Sequence, residues 1–279
     1  MILDCKGKSL DLTYPQVMGI LNVTPDSFSD GGHFFAQDAA LKQAKQMVAD
    51  GAAIIDVGGE STRPGAAIVP VEEEIALVVP VIEAIQSELT IPISTDTSKP
   101  EVMRAAVSAG AGLINDVQAL RVDGALGAAS DLAVPVCLMH AQGPPQTMQD
   151  DPKYDDVVGD VMAFLLERVA VCESAGINRD QLILDPGFGF CKRARHNLRL
   201  MKHLNRIIAL DLPVLIGVSR KSIIGKLLNV TVEERLAGSL ALASVDVWQG
   251  AKIVRTHDVR ETAQAVNLCK YVMQVEESD

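Results

Sequence analysis

Short apolar segments recur along the chain, and each ends in a polar residue or a glycine before a loop and a longer amphipathic segment. Within the short segments the apolar residues are mostly continuous rather than alternating, which is typical of parallel strands covered on both faces. We predict a strand at each of eight segments: 17–22, 53–58, 91–96, 113–116, 134–140, 182–185, 214–219 and 252–255.

The segments between the predicted strands have helical spacing. Apolar residues recur every three or four positions in 37–50 and again in 154–175. Gly51 and Gly176 follow these segments, as expected of glycine at the end of a helix. The pattern predicts a helix after each strand.

Alternation of strands and helices predicts one parallel sheet with right-handed crossovers. Eight such units in 279 residues predict a single-domain α/β fold over residues 1–279, a (β/α)8 TIM barrel. Residues 2–13 precede the first unit and are expected to form a short hairpin across the bottom of the barrel. A doubly wound open sheet is the alternative architecture.

The composition is that of a globular protein, with 48% hydrophobic and 22% charged residues, and it excludes a wholly disordered chain. Aromatic residues make up 4%, so the core must consist largely of Ala, Val, Ile and Leu. A formal net charge of -11 argues against general binding to nucleic acid or to an anionic membrane. An anion site would therefore need basic residues gathered in one place.

Five scattered cysteines without C-x-x-C spacing argue against a disulfide framework and against a zinc site. The longest uncharged stretch, 132–149, contains Pro135, Pro144 and Pro145 and is not expected to span a membrane. The first residues lack the pattern of a secretory signal. We expect a cytoplasmic protein.

Polar side chains follow nearly every predicted strand, at the carboxyl ends that meet at the catalytic rim of a barrel. They are Asn22, Asp96, Asn115, Asp116, His140, Asp185, Ser219, Arg220, Lys221, Arg255, His257 and Asp258. Two long polar loops at the same rim, 23–36 and 60–70, are candidate lids.

Each of these residues also has a purely structural interpretation. Asp96 and Asn115 are residue types that cap a following helix, His140 alone is more often a hydrogen-bonded structural residue, and Lys221 alone a solvated residue at a helix start. The functional interpretation depends on their coincidence. If each residue only capped a helix, no particular arrangement of charges at the rim would be required. The basic residues follow the seventh and eighth predicted strands, 214–219 and 252–255, and they are expected to face carboxylates that follow the third and sixth, 91–96 and 182–185.

The residue types indicate the chemistry. Buried Asp and Asn side chains can read the edge of a flat heterocycle, because a carboxylate accepts two parallel N–H bonds. Lys221, Arg255 and His257 can hold a phosphate-rich anion, and Asn22 offers an oxygen to Mg²⁺. The sequence contains no H-E-x-x-H zinc motif, no G-x-S-x-G nucleophile elbow and no G-x-x-x-x-G-K-[ST] phosphate loop.

Seven segments taken together resemble the bacterial dihydropteroate synthase family, whose members bind pterins. The segments are 22–32, 56–65, 96–97, 114–117, 185–190, 219–221 and 255–259. The resemblance implies a transferase of folate biosynthesis. It would join 6-hydroxymethyl-7,8-dihydropterin pyrophosphate to p-aminobenzoate and release pyrophosphate.

The resemblance also implies roles for individual residues. The implied pterin site contains Asp96, Asn115, Met139, Asp185, Phe190 and Lys221. The implied pyrophosphate site contains Asn22, Thr62, Arg255 and His257, with Asn22 also a ligand of the cofactor Mg²⁺. The implied p-aminobenzoate site, where sulfonamides would compete, contains Thr62, Arg63, Pro64, Phe190, Ser219 and Lys221. The implied catalytic residues are Asp96, Asp185, Lys221, Arg255 and His257.

We expect a dissociative substitution, in which Mg²⁺ and the basic residues stabilise the departing pyrophosphate and the two lids exclude water. A homodimer is expected from the resemblance, through outer helices near the C-terminus. Trp248 and a face with Val245 and Val247 are the candidate contacts.

The chain departs from the family pattern in two places. Ala141 stands after His140 where a methionine is expected, and Cys191 stands where a small glycine is common, followed by the basic run 192–195. Cys191 is either a reactive thiol of low pKa or a bystander.

Three other functions remain open at this point. A pterin-binding methyltransferase would share the acidic and amide residues but would not require the basic ones. A Schiff-base aldolase would use Lys221 as its nucleophile. A non-catalytic pterin-binding protein would show no turnover.

Overall fold

Eight parallel strands form a barrel among the residues that the structure describes. The structure is a computed structural model, and it describes residues 1–23, 32–61, 65–143 and 152–275, with only the backbone described for 32–36. The strands are β3 (Gln16–Asn22), β4 (Ile54–Gly58), β5 (Ile93–Asp96), β6 (Leu113–Asp116), β7 (Val136–Met139), β8 (Leu182–Asp185), β9 (Leu215–Ile216) and β10 (Ile253–Thr256). Their order around the sheet is β8-β7-β6-β5-β4-β3-β10-β9, and a parallel bridge between Leu184 and Val214 joins its two edges. The prediction of a barrel is confirmed, and the alternative prediction of a doubly wound open sheet was wrong.

Helices follow the strands and surround the barrel. They are α1 (Gly32–Ala49), α2 (Val71–Glu88), α3 (Pro100–Ala109), α4 (Ala125–Leu132), α5 (Val157–Ser174), α6 (Ala194–Lys202), α7 (Leu204–Ile208), α8 (Ser222–Leu228), α9 (Leu236–Gln249) and α10 (Val259–Met273). The first helix begins earlier than predicted, at Gly32, so the part of the expected 23–36 loop from Gly32 onward is helical. None of the described helices combines the length and the apolar character needed to cross a membrane.

Residues of the strands alternate between two environments. One set, which includes Ile55, Ile114 and Leu184, packs with the surrounding helices in the main apolar core. The other set faces the barrel interior, where its lower layer is apolar: Met18, Ile54, Leu113, Cys137, Ile183, Leu215 and Ile253. Because side chains of a strand alternate, the next interior position is two residues further along, and there the sequence becomes polar.

A hairpin covers the bottom of the barrel, as predicted. Strands β1 (Ile2–Cys5) and β2 (Lys8–Asp11) pair antiparallel, and Leu3, Leu10 and Leu12 pack against the apolar layer of the interior. Lys6 and Gly7 connect them with φ values of 57° and 82°, the conformation of a two-residue turn that matches strand twist. The hairpin therefore excludes water from the end of the barrel opposite the polar residues.

Leu10→Ala tests this covering role. Leu10 is 2% exposed, and removing such a side chain from a packed core costs about 2–5 kcal/mol of unfolding free energy. We expect urea unfolding to report that loss. Ile2→Ala is the matched control, since Ile2 in the same hairpin is 65% exposed and its loss should stay within about 0.5 kcal/mol. Equal losses for the two variants would contradict the covering role.

Candidate active site

Five polar side chains at the carboxyl ends of strands form one layer above the apolar interior. This polar layer consists of Asp56, Asp96, Asn115, Asp185 and Arg255, which belong to β4, β5, β6, β8 and β10. The first four are at most 9% exposed. In β4, β6, β8 and β10, each lies two residues after an apolar member of the lower layer, so the strand alternation itself directs them into the barrel mouth.

The Arg255 guanidinium is the centre of the polar layer. Its Nε donates to Asp56 Oδ2 at 2.6 Å, and its terminal nitrogen donates to Asp96 Oδ2 at 2.7 Å. Asn115 Nδ2 also donates to Asp56 Oδ2, at 3.0 Å. Since three strands are joined through one cation, the geometry of the layer is set before any ligand binds.

Burial raises the pKa of Asp96 to about 7, against the lowering effect of Arg255, and the nearby Asp56 raises it further. Burial lowers the pKa of Arg255, but Asp56 and Asp96 outweigh it, and the net shift is upward. One guanidinium thus serves two buried carboxylates. The pKa of Asp185 is also raised by burial, while a hydrogen bond from the Gly187 N–H at 2.7 Å opposes the shift.

Lys221 and the ring of Phe190 form a cationic wall beside the polar layer. Lys221 Nζ lies 4.1 Å from the centre of the Phe190 ring, a cation–π contact. Burial lowers the pKa of Lys221 to about 8, and Asp185 counteracts part of the shift. Gly189 allows the close approach, because with φ of +79° a Cβ there would lie 3.0 Å from Lys221 Cδ. Met139 is buried nearby, in a small cluster with Ala141 and Cys191 against which Phe190 packs.

The connections after β9 and β10 are joined at the same mouth. Ser219 Oγ lies 3.0 Å from His257 Nδ1 and accepts the His257 backbone N–H at 3.1 Å. Arg220 Nε donates to Asp258 Oδ2 at 3.0 Å. These contacts hold Lys221 and His257, which neighbour Arg220 and Asp258 in sequence, on adjacent connections at the rim.

The chain is similar to known proteins over its whole length. The family model for pterin binding enzymes matches residues 18–257. A dihydropteroate synthase of Escherichia coli (strain K12) is 54% identical over 278 residues, covering 100% of this chain and 99% of the relative. The chain belongs to the dihydropteroate synthase family.

Solved structures of the family are similar over the whole chain. Dihydropteroate synthase of Yersinia pestis, in a sulfonamide drug complex, has a TM-score of 0.94 at 49% identity and covers 99% of this chain and 100% of its own. The Xanthomonas albilineans enzyme with 4-aminobenzoic acid has a TM-score of 0.93 at 51% identity, with 99% of each chain covered. These full-length matches favour the synthase over the methyltransferase, the aldolase and the non-catalytic protein.

Most residues implied by the family resemblance meet at the mouth. Asn22 ends β3 with an exposed side chain. Thr62, Arg63 and Pro64 lie outside the described residues, as do residues 24–31 of the first candidate lid. The two ends of the second candidate lid are joined by Lys99 Nζ, which lies 2.6 Å from Glu60 Oε2 and 2.7 Å from the Val69 carbonyl oxygen.

The structural interpretations of single residues have different outcomes. Asp96 does not cap the next helix, whose N-cap position is Lys99. His140 is the buried, hydrogen-bonded residue that was expected. Lys221 does sit at the N-cap position of α8, but its amine contacts the Phe190 ring. Burial raises the pKa of the Cys191 thiol, so the reactive thiol of low pKa was wrong.

Asp56 and Lys192 are two polar residues of this region to which the sequence analysis assigned no role. Asp56 interrupts the apolar strand β4 and is completely buried. Because a buried charge is costly unless it is paired, an aspartate inside an apolar strand is itself the signal that predicts a cationic partner. Lys192, 3% exposed, had the weaker signal of a lysine at the start of a basic run.

Arg255→Met tests the central ion pair. Removing one partner of a buried pair costs about 3–5 kcal/mol of unfolding free energy. Without the guanidinium, the pKa of Asp96 should rise further above its value of about 7. The carboxyl is then neutral at low pH, which relieves the penalty, and charged at high pH. We expect the loss of stability in urea unfolding to be larger at pH 8 than at pH 6.

Arg104→Met is the control for that variant. Arg104 pairs with Asp131 at 2.7 Å on the surface, where both side chains are about half exposed or more. Such a pair contributes at most about 1 kcal/mol. An equally small loss for Arg255→Met, or a loss that grows as the pH falls, would contradict the proposed pairing.

Proposed function

We infer that this chain catalyses the reaction of its family. It condenses 6-hydroxymethyl-7,8-dihydropterin pyrophosphate with p-aminobenzoate to give 7,8-dihydropteroate and pyrophosphate, a step of folate biosynthesis. The observation that carries the inference is the meeting of the buried polar layer with Lys221 and His257 at one barrel mouth. A substrate with a nitrogenous ring and a pyrophosphate needs both kinds of contact within one site.

The ring of the pterin is assigned to the polar layer. The N3–H and the 2-amino group present two parallel donors, which match the Asp185 carboxylate. Asp96, Asn115 and Lys221 are assigned to the remaining ring nitrogens and the carbonyl group. Met139 and Phe190 line the faces of the ring, where their apolar surfaces exclude water. The preformed contacts of Arg255 support this assignment, since they hold Asp96 in place without a ligand.

The pyrophosphate is assigned to Arg255 and His257, with Thr62 and Asn22 beside them. Asn22 supplies a single amide oxygen at the exposed end of β3, and no group of three or more His, Cys, Asp or Glu suited to a metal occurs among the described residues. Mg²⁺ bound to phosphates needs few protein ligands, because phosphate oxygens and water complete its shell. The residues therefore fit Mg²⁺ that is carried by the pyrophosphate, where it would supply charge stabilisation.

The reaction is proposed to be a dissociative substitution. The C–O bond to pyrophosphate breaks and its electron pair leaves with the pyrophosphate, whose developing charge Arg255 and His257 stabilise. The methylene carbon is left positive and delocalised into the pterin ring. The neutral amine of p-aminobenzoate then forms the C–N bond and afterwards loses a proton to solvent or to pyrophosphate. No strong base is needed to activate the amine.

The p-aminobenzoate is assigned to the wall formed by Phe190, Ser219 and Lys221. Thr62, Arg63 and Pro64 of the second candidate lid complete the assignment. Lys221 contacts the Phe190 ring and can also attract the carboxylate of p-aminobenzoate. We propose that sulfonamides compete at this wall, supported by the Yersinia pestis relative, whose structure is described as a sulfonamide drug complex.

A pyrophosphate-release assay tests the function. With dihydropterin pyrophosphate, p-aminobenzoate and Mg²⁺, we expect release of pyrophosphate together with dihydropteroate, and a chelator should suppress both. Without p-aminobenzoate, a burst of pyrophosphate is expected, because bond breaking precedes amine attack in a dissociative reaction. No release with both substrates and Mg²⁺ would refute the function, and release without any burst would refute the order of bond changes.

We also propose a cytoplasmic homodimer. The cysteines are all free, which supports a reducing compartment. On α9 and α10, which are joined by a contact from Cys269 to the Ser244 carbonyl, Trp248 and Tyr271 are 61% and 68% exposed. The prediction that Val247 contributes to the interface was wrong, because Val247 is buried in the core, on the opposite side of α9 from the exposed Val245. Exposed apolar side chains on two adjacent helices support an interface between copies of the chain.

Trp248→Glu tests the dimer. We expect the wild-type chain to sediment at twice its mass of 29.8 kDa and the variant to sediment as a monomer, because a charge at the interface is left unpaired. Ile2→Glu, at an exposed position of the hairpin, is the control and should remain dimeric. A monomeric wild type, or a variant that remains dimeric, would contradict this interface.

A further inference from the structure

Lys192 is a buried amine that the proposed reaction does not use. It lies on the connection between β8 and α6, just after Phe190, and is 3% exposed. Its Nζ lies 2.9 Å from His140 Nδ1, 3.0 Å from the carbonyl oxygens of both Gly187 and Phe190, and 3.4 Å from the His140 carbonyl oxygen. Burial lowers the pKa of Lys192 to about 7, so these contacts offset only part of the cost of burying a cation.

The imidazole of His140 acts as an acceptor in this group. Burial lowers the pKa of His140 to about 2, and the charge of Lys192 adds to the shift. The ring is therefore neutral, and if Nδ1 accepts from the ammonium of Lys192, its proton is on Nε2. The ring is packed edge-on against Phe164, with centroids 4.9 Å apart. Lys192 thus ties the connection after β8 to a fixed residue at the end of β7.

Other residues hold the same connection from α6 and from the segment before α5. Asn197 Oδ1 accepts the Gly189 N–H at 2.8 Å, and Asn197 Nδ2 donates to the Lys192 carbonyl oxygen at 3.2 Å. Tyr154 donates to the Cys191 carbonyl oxygen at 3.0 Å. The carbonyl groups of Gly187 and Phe190 are bound by Lys192, so this side chain controls the part of the connection nearest the mouth.

The position of that part determines the cationic wall. The Phe190 ring contacts Lys221 Nζ, and the backbone at Gly189 lies against the Lys221 side chain. We propose that Lys192 is a positioning residue that, by holding the Gly187 and Phe190 carbonyl groups, sets the Phe190–Lys221 wall against which p-aminobenzoate binds. The inference rests on the proposed assignment of p-aminobenzoate to this wall. The positions of Asp96 and Asn115 do not depend on Lys192, because Arg255 holds Asp96 and Asp56 holds Asn115.

Lys192→Met tests the proposal, because it keeps an unbranched chain but removes the donors. We expect the KM for p-aminobenzoate to rise about tenfold, the equivalent of one lost hydrogen bond to a charged group. The calorimetric affinity for dihydropterin pyrophosphate should fall by a smaller factor of about threefold, because Phe190 and Lys221 also line the pterin site while Asp96 and Asn115 keep their positions. Hydrogen exchange at the amides of 187–191 should become faster. Lys192→Gln, which keeps two N–H donors, should show smaller changes of the same kind.

Lys202→Met on the exposed side of α6 is the control and should behave as wild type. An unchanged KM for p-aminobenzoate, or an equal loss of affinity for both substrates, would overturn the positioning role. Should Lys192→Met not fold, the same measurements on Lys192→Gln decide the question. Wild-type turnover is measured first, because its absence refutes the proposed function. The hydrogen-exchange rates of 187–191 do not depend on turnover, so they test separately whether Lys192 fixes the connection after β8.

Discussion

A guanidinium buried between two carboxylates fixes the geometry of this barrel mouth. Arg255 donates to Asp56 and to Asp96, and the surrounding strands bury both carboxylates and most of the guanidinium. In such a place an ion pair is held by the cost of separating it rather than by its own net stability. The consequence is rigidity, since the carboxylate and amide groups are oriented before a ligand arrives.

The polar layer depends on the apolar layer beneath it. Interior side chains such as Ile54 and Ile183 fill the lower barrel, and the hairpin residues Leu3 and Leu10 close its end. Water can therefore approach the acids only from the rim. The same burial raises the pKa values of Asp96 and Asp185. A ligand that donates N–H groups to these acids therefore stabilises their charged forms beyond what Arg255 and the Gly187 N–H already supply.

The sequence was sufficient for the architecture because the barrel repeats one unit. Each apolar run ended within a few residues of its strand, and the polar residues after the runs met at one rim, as parallel strands require. The hairpin over residues 2–13 was also predictable, because it precedes the first unit. The start of α1 at Gly32 was missed, because the whole polar segment 23–36 was expected to be a loop.

Other errors have a common physical origin. Asp56 and Lys192 serve contacts with residues distant in sequence, and no local pattern reports such partners. The prediction for Val247 failed because two valines separated by one residue lie on different faces of a helix. The structure shows that the face of α9 with Val247 is the one that packs in the core. The residue roles were inferred from a family resemblance. The burial and the pairing that make those roles physically reasonable became visible only in the three-dimensional structure.

The central claim is that acids holding a ring and cations holding a pyrophosphate share one mouth. Calorimetry with two ligands, a dihydropterin and its pyrophosphate ester, tests it on Asp185→Asn and His257→Ala. Asp185→Asn should weaken both ligands by about 1–3 kcal/mol, because both contain the ring. His257→Ala should weaken the pyrophosphate ester alone. Equal effects of His257→Ala on the two ligands, or an Asp185→Asn variant that binds both as tightly as wild type, would contradict the account.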